Sequence, residues 1–470
     1  MDCFVLQGGK RLSGRITVEG AKNAALPLMA AALLTDQPVV LRGTADHSDL
    51  KSMRKLLARL GCTGEATDGG MTLHTVDRTN SIAPYDLVKT MRASICTMGP
   101  LLARRGEAII SMPGGCSFGD RPIDLHLRGM QALGAKIEMK SGYIRVSCDR
   151  LQGTTVFLGG PFGSTVLGTA NVMSAATLAR GVTTIECAAC EPEVVDLATM
   201  LNAMGARIKG AGSPRIVVEG VESLRGVTHE VMPDRIVAGT YAIAAAITNG
   251  EVILDRFPWD SLLAAIDRLN AIGVHVDRIT PDADPRACTV RITSERRLRA
   301  TQITTQPHPG FPTDLQAQFM ALLCMADGNS IINEKIYPER FLHVAELGRM
   351  GAKITRHGSV CVVEGCGQLH GAPVMASDLR ASACLVLAGL AAEGETVVQR
   401  VYHLDRGYDR MDAQLKKLGA SIERVDDKTL AADPTSGISG PVEMGVDGLA
   451  SATIAAVAGA PAIVPVESEA

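Results

Sequence analysis

Cys116 lies in the segment PGGCSFGDRPIDLH, residues 113–126, and is the first candidate for chemistry in the chain. The Gly and Pro content of this segment predicts a surface loop, where a thiol does not serve as core packing. Arg121 stands five residues further on and favours the thiolate form, so Cys116 is a candidate reactive thiol. A cysteine between Gly and Ser is also simply tolerated in such a loop, and the local sequence leaves both interpretations open.

Three cationic residues stand where a loop enters an apolar helix. They are Lys22 in GAKNAALP, Arg92 in VKTMRASICTMGP and Arg380 in SDLRASACLVLAG. Helix N-termini attract anions, so a cation there can complete a phosphate or carboxylate site. For GAKNAALP taken alone, an N-cap at Asn23 beside a solvated Lys is the better explanation. The threefold repetition, with Asp378 before Arg380, favours a shared purpose.

Asp314 and Arg406 are two further charged residues with two possible roles each. Asp314 in HPGFPTDLQAQ follows a Pro-bounded loop, where Asp is most commonly a helix N-cap. Arg406 in DRGYDRMD either binds a ligand or pairs with its acidic neighbours. Cys187 and Cys190 form a CxxC with no second pair at zinc-site spacing, so we expect no metal there. The glycine fingerprints of Rossmann folds and P-loops are missing from the sequence.

The chain that must position these residues has 470 residues, which exceeds the size of one hydrophobic core and predicts two or more domains. Its 47 Lys and Arg balance 50 Asp and Glu, so we expect neither nucleic acid nor a membrane surface as a partner. No obligate protein partner is evident. The sequence has no signal-peptide pattern and no apolar run long enough for a bilayer, so we expect a cytoplasmic protein.

A short signature recurs along the chain: a Leu, a second apolar residue three positions later, Gly, a small residue and a β-branched strand start. It predicts the end of an amphipathic helix, closed by Gly, that leads into a strand. A second helix in each unit is rich in Ala and apolar all round, so it must be buried all round. The signature glycines recur with a period of roughly 70 residues and are Gly61, Gly134, Gly205, Gly273, Gly351 and Gly419.

Six such units predict an α/β protein of two domains, with three units in each and a ligand cleft between them. We expect residues 1–22 and 233–424 to form the domain of repeats four to six. Residues 23–232 would form the domain of repeats one to three, which includes the Cys116 loop. Residues 425–470 lack the repeat pattern and are expected to be a C-terminal appendage.

Eight motifs, spread over residues 1–424, resemble in chain order those of the enolpyruvyl transferases that act on UDP-N-acetylglucosamine. They are GAKNAALP, PYDLVKTMRAS, PGGCSFGDRPIDLH, AACEPEVVD, MPDRI, HPGFPTDLQAQF, ASDLRAS and YHLDRGYDR. The resemblance implies a two-domain inside-out α/β barrel of six βαβαββ repeats with buried helices. It also implies transfer of the enolpyruvyl group of phosphoenolpyruvate to the sugar 3-hydroxyl, without a cofactor, at the first committed step of peptidoglycan synthesis, and inhibition by fosfomycin.

The resemblance also implies roles for individual residues. Cys116 and Asp314 would be the catalytic acid and base. Phosphoenolpyruvate would be bound by Lys22, Asn23, Arg121 and Arg406. UDP-N-acetylglucosamine would be bound by Arg92, Arg121, Pro122, Ile123, Asp124, Leu125, Gly163, Ser164, Thr165, Val166, Asp314 and Ile336. Supporting positions would be Asp234, Arg340, Asp378 and Arg380.

Two positions depart from the family pattern. Leu167 stands in TVLGT where the family usually has SVGAT, and Ser48 stands where relatives often carry Lys, so substrate preference could differ. One alternative is the sister activity, transfer to shikimate 3-phosphate, which would not need the RPIDL segment of the Cys116 loop. Another is a non-catalytic UDP-sugar-binding paralogue, against which the intact set of charged residues speaks.

Overall fold

The computed structural model of the chain describes residues 2–67, 69–112, 123–280, 284–295 and 297–429. The chain divides into a compact first unit, Met1–Asp426, and a second unit, Asp427–Ala470. The described part of the second unit is a 3-10 helix, Asp427–Thr429. In these described ranges no helix is long and apolar enough to cross a membrane. The predictions that lie outside the described residues are those for Cys116, Arg121, Pro122 and the appendage beyond residue 429.

Strands and helices follow each other through the whole first unit. Its described strands are β1 (Asp2–Gln7), β2 (Ser13–Thr17), β3 (Val39–Arg42), β4 (Cys62–Thr67), β5 (Gly70–Thr75), β6 (Ile82–Ala83), β7 (Glu107–Ser111), β8 (Lys136–Lys140), β9 (Tyr143–Ser147), β10 (Thr155–Phe157), β11 (Val182–Glu186), β12 (Arg207–Lys209), β13 (Arg215–Glu219), β14 (Val227–Glu230), β15 (Glu251–Phe257), β16 (Val274–Arg278), β17 (Cys288–Ser294), β18 (Gln302–Thr304), β19 (Asn329–Asn333), β20 (Lys353–His357), β21 (Val360–Glu364), β22 (Pro373–Met375), β23 (Glu395–Gln399) and β24 (Ser421–Asp426). Its described α-helices are α1 (Lys22–Ala31), α2 (Ser48–Arg59), α3 (Tyr85–Val88), α4 (Met98–Arg105), α5 (Asp124–Ala132), α6 (Val166–Ala176), α7 (Pro192–Ala203), α8 (Arg235–Ile247), α9 (Leu263–Ile272), α10 (Gln316–Cys324), α11 (His343–Arg349), α12 (Leu379–Ala391) and α13 (Met411–Lys417).

The strands form one sheet plan that is repeated. In the described residues there are six four-stranded sheets, with the orders β14-β3-β5-β4, β6-β7-β9-β8, β10-β11-β13-β12, β2-β15-β17-β16, β18-β19-β21-β20 and β22-β23-β1-β24. The first two strands of each order run parallel and the other neighbours antiparallel. The prediction of six repeated α/β units is therefore confirmed.

The two predicted helix types are also present. The Ala-rich helices α1, α6, α8, α10 and α12 are buried on nearly all sides, because strands and other helices surround them. The signature glycines follow α2, α5, α7, α9, α11 and α13, and their φ angles lie between 79° at Gly61 and 107° at Gly205. This left-handed conformation is the one that ends a helix without a Cβ clash.

Two hydrophobic cores lie inside the first unit. The first core draws its buried residues from positions 21–231, and the second from positions 4–18 and 236–422. The chain passes between them twice, and the two passages lie side by side, since Gly20 and Pro233 form an antiparallel bridge. We propose that the expected domain boundaries fall at this double crossing.

Candidate active site

Lys22 is the first residue of α1, and its side chain is buried instead of solvated. Its ammonium Nζ lies 3.2 Å from Oδ2 of Asp49, on α2. Nε of Arg406 donates to Oδ1 of the same carboxylate at 3.0 Å. Ala21 holds the N-cap position of α1, so an N-cap at Asn23 is wrong, and Asn23 is half-buried in the first turn. One carboxylate therefore bridges two of the predicted anion-binding cations.

The charges around Lys22 act on each other. Burial lowers the pKa of Lys22; Asp49 opposes this effect, whereas Arg380 and Arg406 add to it. Burial also opposes the ionisation of Asp49, but Lys22 and Arg406 outweigh it and lower the pKa of that carboxyl. Side chains far apart in the sequence thus share one electrostatic environment.

Asp314 lies in a 3-10 helix, Thr313–Leu315, and two arginines hold its carboxylate. Nη1 of Arg340 donates to Oδ1 at 2.8 Å, and Nη2 of Arg380 donates to Oδ2 at 2.8 Å. Pro312 is the N-cap residue of this turn, so the N-cap alternative for Asp314 is wrong. Burial alone would raise the pKa of Asp314, but the two arginines hold it well below its usual range. The side chain is an ionised carboxylate in a fixed orientation.

Two aspartates of the predicted supporting group are helix N-caps. Oδ1 of Asp378 accepts from the backbone N–H groups of Arg380 at 2.9 Å and Ala381 at 3.1 Å, where α12 begins. Asp234 caps α8 in the same way, and its Oδ2 also accepts from the backbone N–H of Lys22 at 3.2 Å. These caps hold in place the backbone that carries Lys22 and Arg380.

Glu334 is a fully buried carboxylate to which no motif pointed. Its Oε1 accepts from the hydroxyl of Thr305 at 2.7 Å and from the N–H of Ile336 at 2.8 Å. Its Oε2 accepts from the hydroxyl of Thr313 at 2.8 Å, and Nη1 of Arg340 donates to that same hydroxyl oxygen at 3.0 Å. Glu334 therefore fixes the residue just before the candidate base. The sequence feature that could have indicated Glu334 is its position directly after strand β19.

A second buried ion pair lies next to the Asp234 cap. Nε of Arg235 donates to Oε1 of Glu193 at 2.9 Å, and both side chains are buried. Burial opposes the charge on Arg235, but Glu193 outweighs it and raises the pKa of the guanidinium, with Asp314 contributing. Both residues lie in motifs of the family pattern, MPDRI and AACEPEVVD, but the sequence alone does not predict this ion pair. Within the described part of the chain no group of His, Cys, Asp and Glu could hold a metal ion.

Several predicted nucleotide-binding residues lie at the starts of α5 and α6. Asp124, the first residue of α5, is exposed, whereas Ile123 is buried and Leu125 is half-buried. Thr165 caps α6, because its hydroxyl accepts from the backbone N–H of Gly168 at 3.3 Å. The described hydrogen bonds of Ile123 and Thr165 run to residues of α5 and α6, and Leu125 lies against Gly160.

The loop before α6 approaches the second half of the sequence. Gly163 has a φ of 96°, and a Cβ added there would lie 3.6 Å from Cγ of Pro307. The positive φ would strain a larger residue at this position, although its Cβ would meet Pro307 at an ordinary van der Waals distance. Ser164 and Val166 are half-buried, and Leu167, the departure from the family pattern, packs against the first core.

Arg92 opens a 3-10 helix, Arg92–Thr97, and acts electrostatically on the buried His126. Burial lowers the pKa of His126 to about 4, and Arg92 adds to this effect. Nδ1 of His126 lies 3.0 Å from Nδ2 of Asn171, so the amide donates to a neutral ring. His126 is therefore an uncharged neighbour of Arg92.

Comparisons with known proteins identify the family of the chain. Residues 6–415 match the family model described as EPSP synthase (3-phosphoshikimate 1-carboxyvinyltransferase). A curated relative named UDP-N-acetylglucosamine 1-carboxyvinyltransferase, from Gluconacetobacter diazotrophicus, is 52% identical over 428 residues, which are 90% of this chain and 100% of the relative. A relative of the same name from Nitratidesulfovibrio vulgaris is 50% identical over 427 residues, which are 90% and 99% of the two chains.

Solved structures show the same fold. The crystal structure of the enolpyruvyl transferase NikO from Streptomyces tendae has a TM-score of 0.81 at 25% identity, over 90% of this chain and 99% of that one. EPSP synthase from Acinetobacter baumannii has a TM-score of 0.70 at 18% identity, over 91% and 100%, and this likeness concerns the fold alone. The chain therefore belongs to the EPSP synthase family of enolpyruvyl transferases, together with the relatives named UDP-N-acetylglucosamine 1-carboxyvinyltransferase.

Proposed function

We propose that this chain transfers the enolpyruvyl group of phosphoenolpyruvate to the 3-hydroxyl of UDP-N-acetylglucosamine and releases phosphate. The observation that carries the proposal is the charge arrangement, in which Lys22 and Arg406 share one carboxylate within electrostatic reach of Asp314. Relatives at about half identity carry this activity in their names. The reaction would take place in the cytoplasm, at the first committed step of peptidoglycan synthesis, on which cell shape and division depend.

Phosphoenolpyruvate carries a phosphate and a carboxylate, so its site needs several cations. We assign Lys22 and Arg406 to it from the geometry above. Arg121, from the Cys116 loop, and the amide of Asn23 are assigned by their motifs. The same cations would stabilise the charge on the phosphate as it leaves.

For UDP-N-acetylglucosamine we keep the residues that the motifs indicate. Because Leu167 packs against the first core, we expect it to leave the diphosphate contact open. Gly163 supplies the positive φ of the loop that approaches Pro307, in the second half of the sequence. The full set is Arg92, Arg121, Pro122, Ile123, Asp124, Leu125, Gly163, Ser164, Thr165, Val166, Asp314 and Ile336.

In the proposed reaction the sugar 3-oxygen bonds to C2 of phosphoenolpyruvate while C3 gains a proton, which gives a tetrahedral intermediate. The intermediate then loses phosphate from C2 and a proton from C3, which restores the double bond. Asp314 would accept the proton of the attacking hydroxyl, since Arg340 and Arg380 keep it ionised and oriented. Its low pKa makes it a weak base, so the transfer would occur as the C2–O bond forms and the hydroxyl becomes more acidic.

Cys116 would be the acid that protonates C3, and its thiol can be tested directly. Cations such as Arg121 favour the thiolate form of Cys116. Seven of the eleven described cysteines are buried, which shields their thiols from a reagent. We predict that fosfomycin, an epoxide that resembles phosphoenolpyruvate, inactivates the enzyme progressively and labels Cys116 alone. Cys116→Asp should stay active and resist the drug, whereas Cys116→Ser should lose on the order of 100-fold in turnover. A label on another cysteine, or parental turnover of Cys116→Ser, would contradict the acid role.

One assay tests the proposed function itself. Phosphate release from phosphoenolpyruvate is measured with UDP-N-acetylglucosamine and, separately, with shikimate 3-phosphate as the acceptor. We expect release with the UDP-sugar alone. Release with shikimate 3-phosphate alone would establish the sister activity, and binding of the UDP-sugar without any release would establish a non-catalytic paralogue.

A further inference from the structure

Asp49 is a charged residue for which the proposed reaction has not yet provided a role. Its side chain is only 6% exposed and stands in the first turn of α2. Its partners come from distant parts of the chain, since Lys22 is 27 residues away in sequence and Arg406 is 357 residues away. Both carboxylate oxygens have cationic partners. Oδ1 accepts from Nε of Arg406, and Oδ2 accepts from Nζ of Lys22 and lies 3.5 Å from Nη2 of Arg406.

The contacts of Asp49 link elements that belong to the two hydrophobic cores. Leu50, next to Asp49 on α2, belongs to the first core. Arg406 ends a 3-10 helix, Val401–Arg406, in which Leu404 belongs to the second core. Lys22, at the start of α1, lies beside the double crossing of the chain. Asp49 is therefore the common point of two cations that local structure alone would not bring together.

A buried carboxylate is costly unless cations pair with it, so this placement needs a compensating interaction. Lys22 needs one as well, because burial and the neighbouring guanidinium groups of Arg380 and Arg406 all favour its neutral form. Asp49 is the strongest of the neighbours that favour its charged form, ahead of Asp314. The negative charge of Asp49 lets Lys22 and Arg406 lie next to each other. The cations Lys22, Arg380 and Arg406 still outnumber the carboxylates Asp49 and Asp314, so the surroundings still favour an anion.

We propose that Asp49 is a positioning residue which holds Lys22 and Arg406 together as one anion-binding pair, without touching the reacting atoms. The inference rests on the proposed function, in which the anion is phosphoenolpyruvate. It assigns a specific task to a residue outside every motif that pointed to the reaction. Its effect should appear in the affinity for the anion and not primarily in the rate of the chemical step.

The test compares three variants of the full chain by phosphate release. Asp49→Asn removes the charge at constant shape, and Asp49→Glu keeps the charge. The control, Asp46→Asn, removes a nearby carboxylate that is 73% exposed and pairs with Lys51 at 2.8 Å. We expect Asp49→Asn to raise KM for phosphoenolpyruvate about tenfold or more while kcat changes by less than about threefold. Asp49→Glu should recover most of the affinity, and Asp46→Asn should match the parental enzyme.

The pH dependence separates positioning from a general loss of structure. Lys22 must be protonated to bind an anion, and Asp49→Asn removes the strongest interaction that raises its pKa. The KM for phosphoenolpyruvate should therefore begin to rise at a lower pH in Asp49→Asn than in the parental enzyme, while Asp49→Glu keeps the parental profile. An unchanged profile, or a lower KM in Asp49→Asn, would overturn the inference.

Binding of inorganic phosphate, measured by calorimetry, separates this inference from the proposed function. Weaker phosphate binding in Asp49→Asn, with parental binding in Asp46→Asn, would support the cation pair even if the parental enzyme released no phosphate from phosphoenolpyruvate. Such an outcome would refute the proposed reaction alone. Equal phosphate affinity in Asp49→Asn and the parental protein would refute the role of Asp49. If Asp49→Asn fails to fold, Asp49→Glu carries the test: it should keep most of the phosphate affinity and the parental pH profile, and the loss of either would overturn the inference.

Discussion

The carboxylate of Asp314 is divided between two arginines, so the protein itself fixes its position and its charge. Arg380 is buried and its guanidinium also lies 3.4 Å from the hydroxyl of Tyr408. Asp314 is thus the centre of an ion-pair group as well as the proposed base. A substitution there must affect stability and catalysis together, and the two effects have to be measured separately.

We predict that Asp314→Asn lowers kcat on the order of 100-fold or more, because the general base is lost. It should also lower the free energy of unfolding by about 2 kcal/mol, less than for a fully buried ion pair, because the Asp314 side chain is 26% exposed. Phosphate release under conditions where the variant is fully folded, together with urea unfolding, measures both quantities. Near-parental turnover in the folded variant would mean that Asp314 is only the counter-ion of the arginines.

Helix starts are the elements that position the charged side chains. Lys22 begins α1, and Arg380 is the second residue of α12. The N-caps Asp234 and Asp378 tie these starts to the neighbouring backbone, and Asp234 joins two helices because it also accepts from the N–H of Lys22. A rigid helix start places a long cationic side chain more reproducibly than a loop would.

We predict that Asp378→Ala destabilises the protein by about 1 kcal/mol and Asp378→Asn by only a few tenths. The reason is that Asn can still accept from the two backbone N–H groups at the start of α12, whereas Ala cannot. Urea unfolding compares the two variants directly. An equal loss for Asn and Ala would show that the charge of Asp378 matters and that the cap does not.

At the scale of the whole molecule, the two N-terminal strands complete sheets formed by later parts of the chain. β1 lies between β23 and β24, and β2 pairs with β15. β24 is paired with β1 along its full length, from Asp2 opposite Asp426 to Gln7 opposite Ser421. The last repeat is therefore complete only when both ends of the first unit are present.

We predict that a chain shortened to residues 1–426 keeps kcat and KM within about twofold of the full chain, because it retains the whole first unit, including β24. A chain shortened to residues 1–420 lacks β24 and should lose its cooperative thermal transition. Steady-state kinetics and thermal unfolding of both chains check this. A folded but inactive 1–426 chain would instead assign a functional role to residues 427–470.

Much of the architecture could be predicted from the sequence because it depends on local rules. Glycines that close helices, apolar helices and alternating strands are all determined within a few residues, so the six repeats were confirmed. Motifs led to Lys22, Arg380, Arg406 and Asp314, which the structure brings into one electrostatic group. The domain boundaries and the substrate contacts of the site residues stay predictions.

Only the tertiary structure decided which partners these residues have. Asp49 and Glu334 belonged to no informative motif, yet each is engaged by several donors. Local propensity favoured an N-cap at Asp314, but Arg340 and Arg380 hold its carboxylate instead. The physical reason is that helix caps and turns are satisfied by neighbours in the sequence, whereas the free energy of a buried charge depends on groups that only the folded chain brings together.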